Sequence, residues 1–321
     1  MPLTSLLSAI AQEQQVSGGG YREFIDSAAR TPLSEVVYIV AALTVLRLAI
    51  SPYLRNTPAH KRTATYGLAR FFNEVLDAVI YAGVFVFMVI RPFAIQAFLI
   101  PSGSMWPTLY VNDFIVANKA IYRYTDPKVN DIVVFRPPVD ATFMNPEQRD
   151  KNGNVKVDFI KRCVGAPGDV VEIRQGAMYR NGKLAQDPNK HYSVRIDDSN
   201  YAEMPADQIP QTASANASFK FIKWHNKIIP LNYTTTEANA GVTGYDNAYE
   251  VAPQYVISSH EDQMQAIKQP AQPVPPGFYF MMGDNRNNSF DGRGWGLVPR
   301  DSIIGRAEFI WLPFNRIGRT K

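Results

Sequence analysis

The sequence predicts a mainly β protein behind two N-terminal transmembrane helices, its exported antiparallel sheet domain interrupted by an inserted β subdomain. Three observations carry that expectation. Two apolar segments, 36–50 and 75–90, flank a short basic stretch. After residue 110, short apolar runs recur between Gly, Pro and Asn turn signals, and no long stretch has helical periodicity. Residues 186–276 differ in texture, with polar runs and a Pro-rich exit at 269–277.

Composition narrows the class. At 321 residues, 46% hydrophobic and 19% charged, the chain is neither disordered nor a long coiled coil. A single Cys excludes an internal disulfide framework and a Cys-rich zinc module. The formal net charge of +4 invites a nucleic-acid reading until it is located. Residues 1–35 sum to −2, whereas 51–73 hold Arg55, Lys61, Arg62 and Arg70 with no acid. The remainder from 74 onward is nearly neutral at +1. The surplus is therefore a topological signal, and no nucleic-acid partner is expected.

The elements follow in order. Residues 1–35 form a tail without the basic n-region and long apolar run of a cleaved signal peptide, so the protein is expected to be anchored. Helix 36–50 is apolar apart from Thr44 and Arg47. The acid-free loop 51–73 reads as cytoplasmic under the positive-inside rule. The second span, 74–97, reaches sufficient length by continuing through Arg91 and Pro92, with Arg91 snorkelling to the headgroups. Everything from about 101 then faces the other side of the membrane. A soluble alternative keeps both apolar segments as buried core helices.

Strands are expected at 114–117, 132–135, 170–173, 278–282 and 307–311. Turn signals at Pro137-Pro138, Asn152-Gly153, Pro167-Gly168, Asn181-Gly182 and 275–277 separate them, with Asn152-Gly153 a hairpin tip. Residues 98–185 and 277–316 form the β core and 186–276 the insert. Segments 17–20 and 234–236 read as flexible loops.

The four histidines show no HExxH spacing, no G-x-S-x-G elbow is present, and Gly292–Gly294 lacks the helix of a phosphate loop. No metal and no cofactor are expected. Three clusters carry the chemistry. Ile100-Pro101-Ser102-Gly103-Ser104-Met105-Trp106-Pro107 sets two serines around a glycine, and its ordinary reading is a polar turn leaving a helix. A serine nucleophile needs a base, and a desolvated lysine is one. Lys161 follows Phe159 and Ile160; in a strand it shares a face with Phe159 and could sit on apolar surface. The bland alternative is a strand-end lysine in water. The third cluster, 283–296, is dense in glycines and hydrogen-bonding groups, as a polar loop also is.

Together the clusters resemble bacterial type I signal peptidase, a membrane-bound Ser-Lys serine protease. The resemblance rests on PSGSMWPTL (101–109), NDFIV (112–116), NDIVVF (130–135), IKRCVGAPGD (160–169) and GDNRNNSFDGRGWG (283–296), in that order. It implies that Ser104 is the nucleophile and Lys161 the general base. The Ser104 N–H and Ser102 hydroxyl would form the oxyanion hole, and Ser289 would hydrogen-bond and orient the lysine. Asp291 and Arg293, with Asp284 and Arg162, would support the loop. Phe98, Ile100, Met105, Leu109, Ile115, Phe159 and Ile160 would line shallow pockets for small side chains. The implied partners are signal-peptide-bearing preproteins and membrane phospholipid, acted on by a monomer. The implied location is the bacterial cytoplasmic membrane, multi-pass, with the catalytic domain on the periplasmic side.

Three positions depart from the family pattern: Asn112 for a usual Gly, Asn287 for a frequent acid and Gly292 for a usual Ser. Rival readings are a Cys163 transpeptidase, a Ser-Lys autoprotease that binds DNA and a binding module with a decayed site.

Overall fold

The computed structural model describes residues 33–87, 95–211, 217–235, 242–245 and 251–320. The tail before 33, with its 17–20 loop, and the Arg91-Pro92 continuation of the second span lie outside the described residues. The chain divides into two compact units, Met1–Phe98 and Leu99–Lys321.

The first unit is a helical hairpin. Helix α1, Leu33–Asn56, is 24 residues long, about 36 Å at 1.5 Å per residue. It exceeds the expected 36–50 because the helix continues into its polar ends, with Glu35 in the first turn and Arg55 in the last. Among the described residues one helix, Ser34–Asn56, is long and apolar enough to cross a membrane, with a mean hydropathy of 1.8. Tyr38, Val45 and Leu48 point outward from it, as side chains solvated by lipid do. Helix α2, Ala64–Phe85, begins inside the stretch expected to be a loop. Apart from the turn around Ala59–Lys61, that basic stretch is mostly helical. After Pro58 it holds no further proline, and Gly67 is its one poor helix former. Arg47 and Asp77, each the one charge in its apolar segment, pair at 3.0 Å, so neither charge faces hydrocarbon alone.

The second unit is antiparallel β. Its strands are β1 (Ile95–Leu99, starting just before the unit boundary), β2 (Phe114–Asn118), β3 (Ile132–Phe135), β4 (Phe159–Gly165), β5 (Val171–Arg174), β6 (Ala177–Arg180), β7 (Lys183–Leu184), β8 (Ser193–Arg195), β9 (Tyr201–Glu203), β10 (Ala217–Trp224), β11 (Lys227–Thr235), β12 (Val242–Tyr245), β13 (Phe278–Met282), β14 (Val298–Pro299), β15 (Ile303–Leu312) and β16 (Gly318–Arg319). One sheet runs β1-β2-β15-β3-β4-β13-β14 with β16 on β15, a second β12-β11-β10-β5-β6-β7, and a third pairs β8 with β9. The second sheet takes three strands from before residue 186 and three from after, so the insert completes a sheet that the core begins.

Alternation decides the core. Along β13, Tyr279 and Met281 enter one cluster with Val133, Phe135, Cys163 and Trp295. Phe280 and Met282 enter another with Val164, Val171, Phe219 and Phe221. A strand covered on both faces reads as the continuous apolar run FYFMM. Strand β10 works likewise, with Phe219 and Phe221 on one side and Ile222 in a third cluster with Leu231 and Ala266.

The hairpins follow from their turns. Gln175-Gly176, Asn181-Gly182 and His225-Asn226 all have positive φ at both residues, the type I′ geometry that matches the twist of two-residue hairpins. At Asn152-Gly153, Gly153 has φ +82 and Asp150 N–H donates to Asn154 O, closing a tip between the Arg149 and Val155 bridge pair.

No long helical stretch is expected after residue 110, and among the described residues the α-helices there are three short ones: α3 (Ile121–Tyr124), α4 (His260–Lys268) and α5 (Gly292–Trp295). For α4 the signal was a capping pattern rather than periodicity: Ser259 accepts from Asp262 N–H, with acids in the first turn and Lys268 in the last.

Candidate active site

Ser104 sits in a tight 3-10 turn, Gly103–Met105, that starts from an extended Ser102. The turn belongs to a closed loop: Ile100 N–H donates to Asp113 O and Asn112 N–H to Ile100 O, both at 2.9 Å. Asn112 closes it at φ +69, the left-handed region that Asn tolerates best after Gly. That accounts for Asn at a position where the family usually has Gly. Asp113 is buried, accepting from Arg316 at 2.8 and 2.9 Å and from Tyr110 N–H.

Lys161 comes from β4. Phe159, Lys161 and Cys163 share one face, the face packed on the Val133–Trp295 cluster. The side chain is only 6% exposed, and its ammonium lies 5.8 Å over the Phe159 ring. Burial penalises the charged form and brings the amine down to about 8; Asp291 and Asp284 oppose the shift and Arg293 assists it. Nζ lies 2.6 Å from Ser104 Oγ, and Ser102 Oγ donates to the same oxygen at 3.4 Å. Ser104 is half-buried and Ser102 exposed, so a half-open hydroxyl faces a buried amine.

Loop 283–296 holds this pair. Asp284 is fully buried and takes Arg162 Nε and Nη2 in a two-pronged pair at 2.8 and 2.7 Å, and Thr108 Oγ1 at 2.6 Å. It thereby ties β4 to the serine loop. Asp291 pairs with Arg293 at 2.8 and 2.9 Å and accepts from Gly283 N–H. Burial alone would raise the Asp291 carboxyl, but Arg293 and these hydrogen bonds hold it below the usual range.

Ser289 differs from the expectation. Its Oγ is buried but hydrogen-bonds to no described group, so the implied bond to Lys161 is not formed. The hydroxyl instead lies over Gly283. A Cβ there would fall 2.6 Å from Ser289 Cβ and 2.5 Å from the Ser104 carbonyl oxygen, so only glycine lets β13 end this close to both serines. Gly292 is fixed similarly, since a side chain would meet the Phe280 ring at 2.8 Å and Met281 O at 2.9 Å. Asn287 pairs with the Ser193 backbone, its Oδ1 accepting and its Nδ2 donating at 2.8 Å each.

Among the pocket candidates, Phe98, Phe159 and Ile160 are half-buried, and Ile100 keeps a trace of exposed surface. Met105, Leu109 and Ile115 are fully buried, so all three belong to the packed core and not to an open pocket wall. Cys163 is buried with its thiol pushed up to about 12 by burial, beside Gly165 O, a poor setting for the rival thiol nucleophile. Sequence reasoning assigned no role to Asn285, Thr108, Gly283 or Tyr201. The first three lie inside the quoted motifs; nothing in the sequence marked Tyr201.

A buried lysine amine against a half-open serine hydroxyl, on an antiparallel β unit, is an arrangement that fits a serine hydrolase. A family model for signal peptidase, peptidase S26, matches residues 72–312, and the chain belongs to that family. Similar proteins include the probable signal peptidase I-2 of Synechocystis sp., 32% identical over 229 residues covering 71% of this chain and 68% of that protein. The signal peptidase I of Aquifex aeolicus is 30% identical over 227 residues, 69% of this chain and 77% of that one. That of Pseudomonas fluorescens is 30% identical over 270 residues, 74% and 75% of the two chains. A crystal structure of a signal peptidase I from Enterococcus faecalis superposes with a TM-score of 0.23 at 23% identity, covering 57% of this chain and 97% of that one; the family assignment rests on the sequence matches. The protein is thus a membrane-anchored serine endopeptidase that removes signal peptides from preproteins.

Proposed function

We propose that Ser104 is the nucleophile and Lys161 its general base. The observation that carries this is the 2.6 Å approach of a buried amine, brought down to about 8, to the Ser104 hydroxyl. Neutral Nζ takes the hydroxyl proton as Oγ bonds to the scissile carbonyl carbon. The resulting oxyanion is received by the Ser104 N–H and the Ser102 hydroxyl, donors that typically contribute about 3 kcal/mol each. Lys161 then gives its proton to the leaving amine as the C–N bond breaks. Water, deprotonated by Lys161, opens the ester, and Oγ recovers a proton.

The substrate is a preprotein whose signal peptide ends in small residues. Its end lies as an extended strand along 100–102, held by backbone pairing, with small side chains against Ile100, Phe159 and Ile160. Anchoring supports this reading: α1 spans the membrane, α2 belongs to a second span, and the basic stretch between them stays cytoplasmic. The C-terminal unit then works on the periplasmic side of a bacterial cytoplasmic membrane, against phospholipid and as a monomer. The serine sits few residues beyond the second span, where a cut near the membrane surface is needed.

The test is cleavage of a model preprotein with an Ala-x-Ala end by the full chain in detergent or phospholipid, with Ser104→Ala as control. The wild type is expected to release the mature product at that site and the variant to leave the preprotein whole. Normal processing by Ser104→Ala would sink the assignment.

A further inference from the structure

The insert contains a small hairpin, β8–β9, whose register pairs Ser193 with Glu203 and Arg195 with Tyr201. Cross-strand partners share a face, as do residues two apart, so Ser193 and Tyr201 project on the same side. Tyr201 reaches Gly103, the residue before Ser104, directly, and Ser193 reaches it through Asn285. The Ser193 hydroxyl donates to Asn285 Oδ1 at 2.9 Å, and Asn285 Nδ2 donates to Gly103 O at 2.9 Å. Asn285 N–H also donates to Ser104 O at 3.2 Å. The Tyr201 ring covers Gly103 directly. A Cβ on Gly103 would fall 2.8 Å from Tyr201 Cδ2 and closer still to Cε2 and Cζ, and all three nearest atoms belong to that ring.

The hairpin is itself tied down. His191 N–H donates to Asp284 O, Arg286 N–H to His191 O and Met204 N–H to Tyr192 O, at 2.8–2.9 Å. The His191 ring stands edge-on to Trp106 and faces Glu203. At the tip, Asp197 Oδ1 accepts from Ser199 and Asn200 N–H, an Asx turn that limits rocking of the two strands. Gly103 is thus gripped on its carbonyl by Asn285 and on its Cα by an aromatic ring, both held by one hairpin.

We infer that Tyr201 is a positioning residue for the nucleophile: its ring fixes the Gly103–Ser104 peptide, and with it the Ser104 N–H and hydroxyl, in reacting geometry. This gives part of the insert a role in the reaction and explains why position 103 is glycine: a methyl there would displace the ring that orients the serine. The inference rests on the reading of Ser104 as nucleophile. Positioning matters because displacements of about 1 Å can lower rates by about 100-fold.

The test uses the full chain and the same preprotein, with Tyr201→Ala, Tyr201→Phe, Gly103→Ala, Gly103→Ala/Tyr201→Ala and Ser104→Ala in parallel. Gly103→Ala is expected to lower kcat about 100-fold, and Tyr201→Ala about 10-fold with KM within about twofold, the mark of an interaction used in the transition state. Tyr201→Phe keeps the ring and most of the rate. Removing the ring makes room for the methyl, so the double variant is expected to recover about 10-fold over Gly103→Ala. Tyr201→Ala at the wild-type kcat, or a double variant no faster than Gly103→Ala, overturns the inference. If that happens while Ser104→Ala is inactive, the hairpin reading alone fails; an active Ser104→Ala removes the dyad reading and this one with it.

Discussion

Lys161→Met is expected to abolish preprotein cleavage and to make the protein more stable at pH 7. The two effects have one cause. Lys161 is nearly fully buried, so the desolvation that makes its amine a usable base also opposes folding. An ammonium that loses its proton near pH 8 rather than 10.5 costs about 3 kcal/mol of stability, at about 1.4 kcal/mol per pH unit. Below pH 8 both the folded and unfolded chains hold the proton and the full penalty applies. Between 8 and 10.5 the unfolded chain still binds a proton that the folded one has released, and the penalty fades; above 10.5 it is gone. Met fills similar volume without charge. Denaturant unfolding is therefore expected to show a gain of about 3 kcal/mol at pH 7 that shrinks toward pH 10.5. Cleavage falls by about 10⁴-fold, as when a member of a catalytic pair is removed. A Met variant less stable than wild type at pH 7 would mean that the lysine is a structural anchor.

Asp284→Ala is expected to act in the opposite direction on stability. Asp284 is fully buried, and its two oxygens take the Arg162 fork and the Thr108 hydroxyl. Breaking a buried pair on one side strands the other charge, at about 3–5 kcal/mol. In a unit of this size that lowers the melting temperature by about 10 °C. Arg162→Met added to Asp284→Ala removes the stranded guanidinium and should restore part of the loss, since an apolar replacement for a buried pair is often neutral. Thermal melts of the two variants give the comparison. A double variant that melts below Asp284→Ala would contradict the account of the pair. Cleavage should fall with Asp284→Ala even where it is folded, because the same carboxylate ties Lys161's strand to the Ser104 loop.

What could be read from residues alone was set by distance along the chain. Ile132–Phe135 and Phe278–Met282 form strands at their expected positions, because each is a short apolar run between turn signals. The face that buries Lys161 was legible from its place two residues after Phe159, since a strand has a period of two. Hydropathy misjudged the helices: α1 runs to Asn56 and α2 starts at Ala64, because helical hydrogen bonding continues through polar residues that an apolarity window discards. The Ser289 hydrogen bond, taken from resemblance, is absent where Gly283 lets the hydroxyl settle over the chain. Tyr201 on Gly103, and Ser193 through Asn285, join residues about a hundred positions apart. No local pattern encodes such contacts; they exist only once the insert has folded back onto the loop.

The claim at the centre is that a buried, neutral lysine activates Ser104, and the pH dependence of kcat/KM for preprotein cleavage tests it most directly. Only the free amine can take the serine proton. With Lys161 brought down to about 8, kcat/KM should rise about tenfold per pH unit below 8 and level off above it. A profile flat through pH 8, or a rise centred near the histidine value of about 6.5, would contradict it.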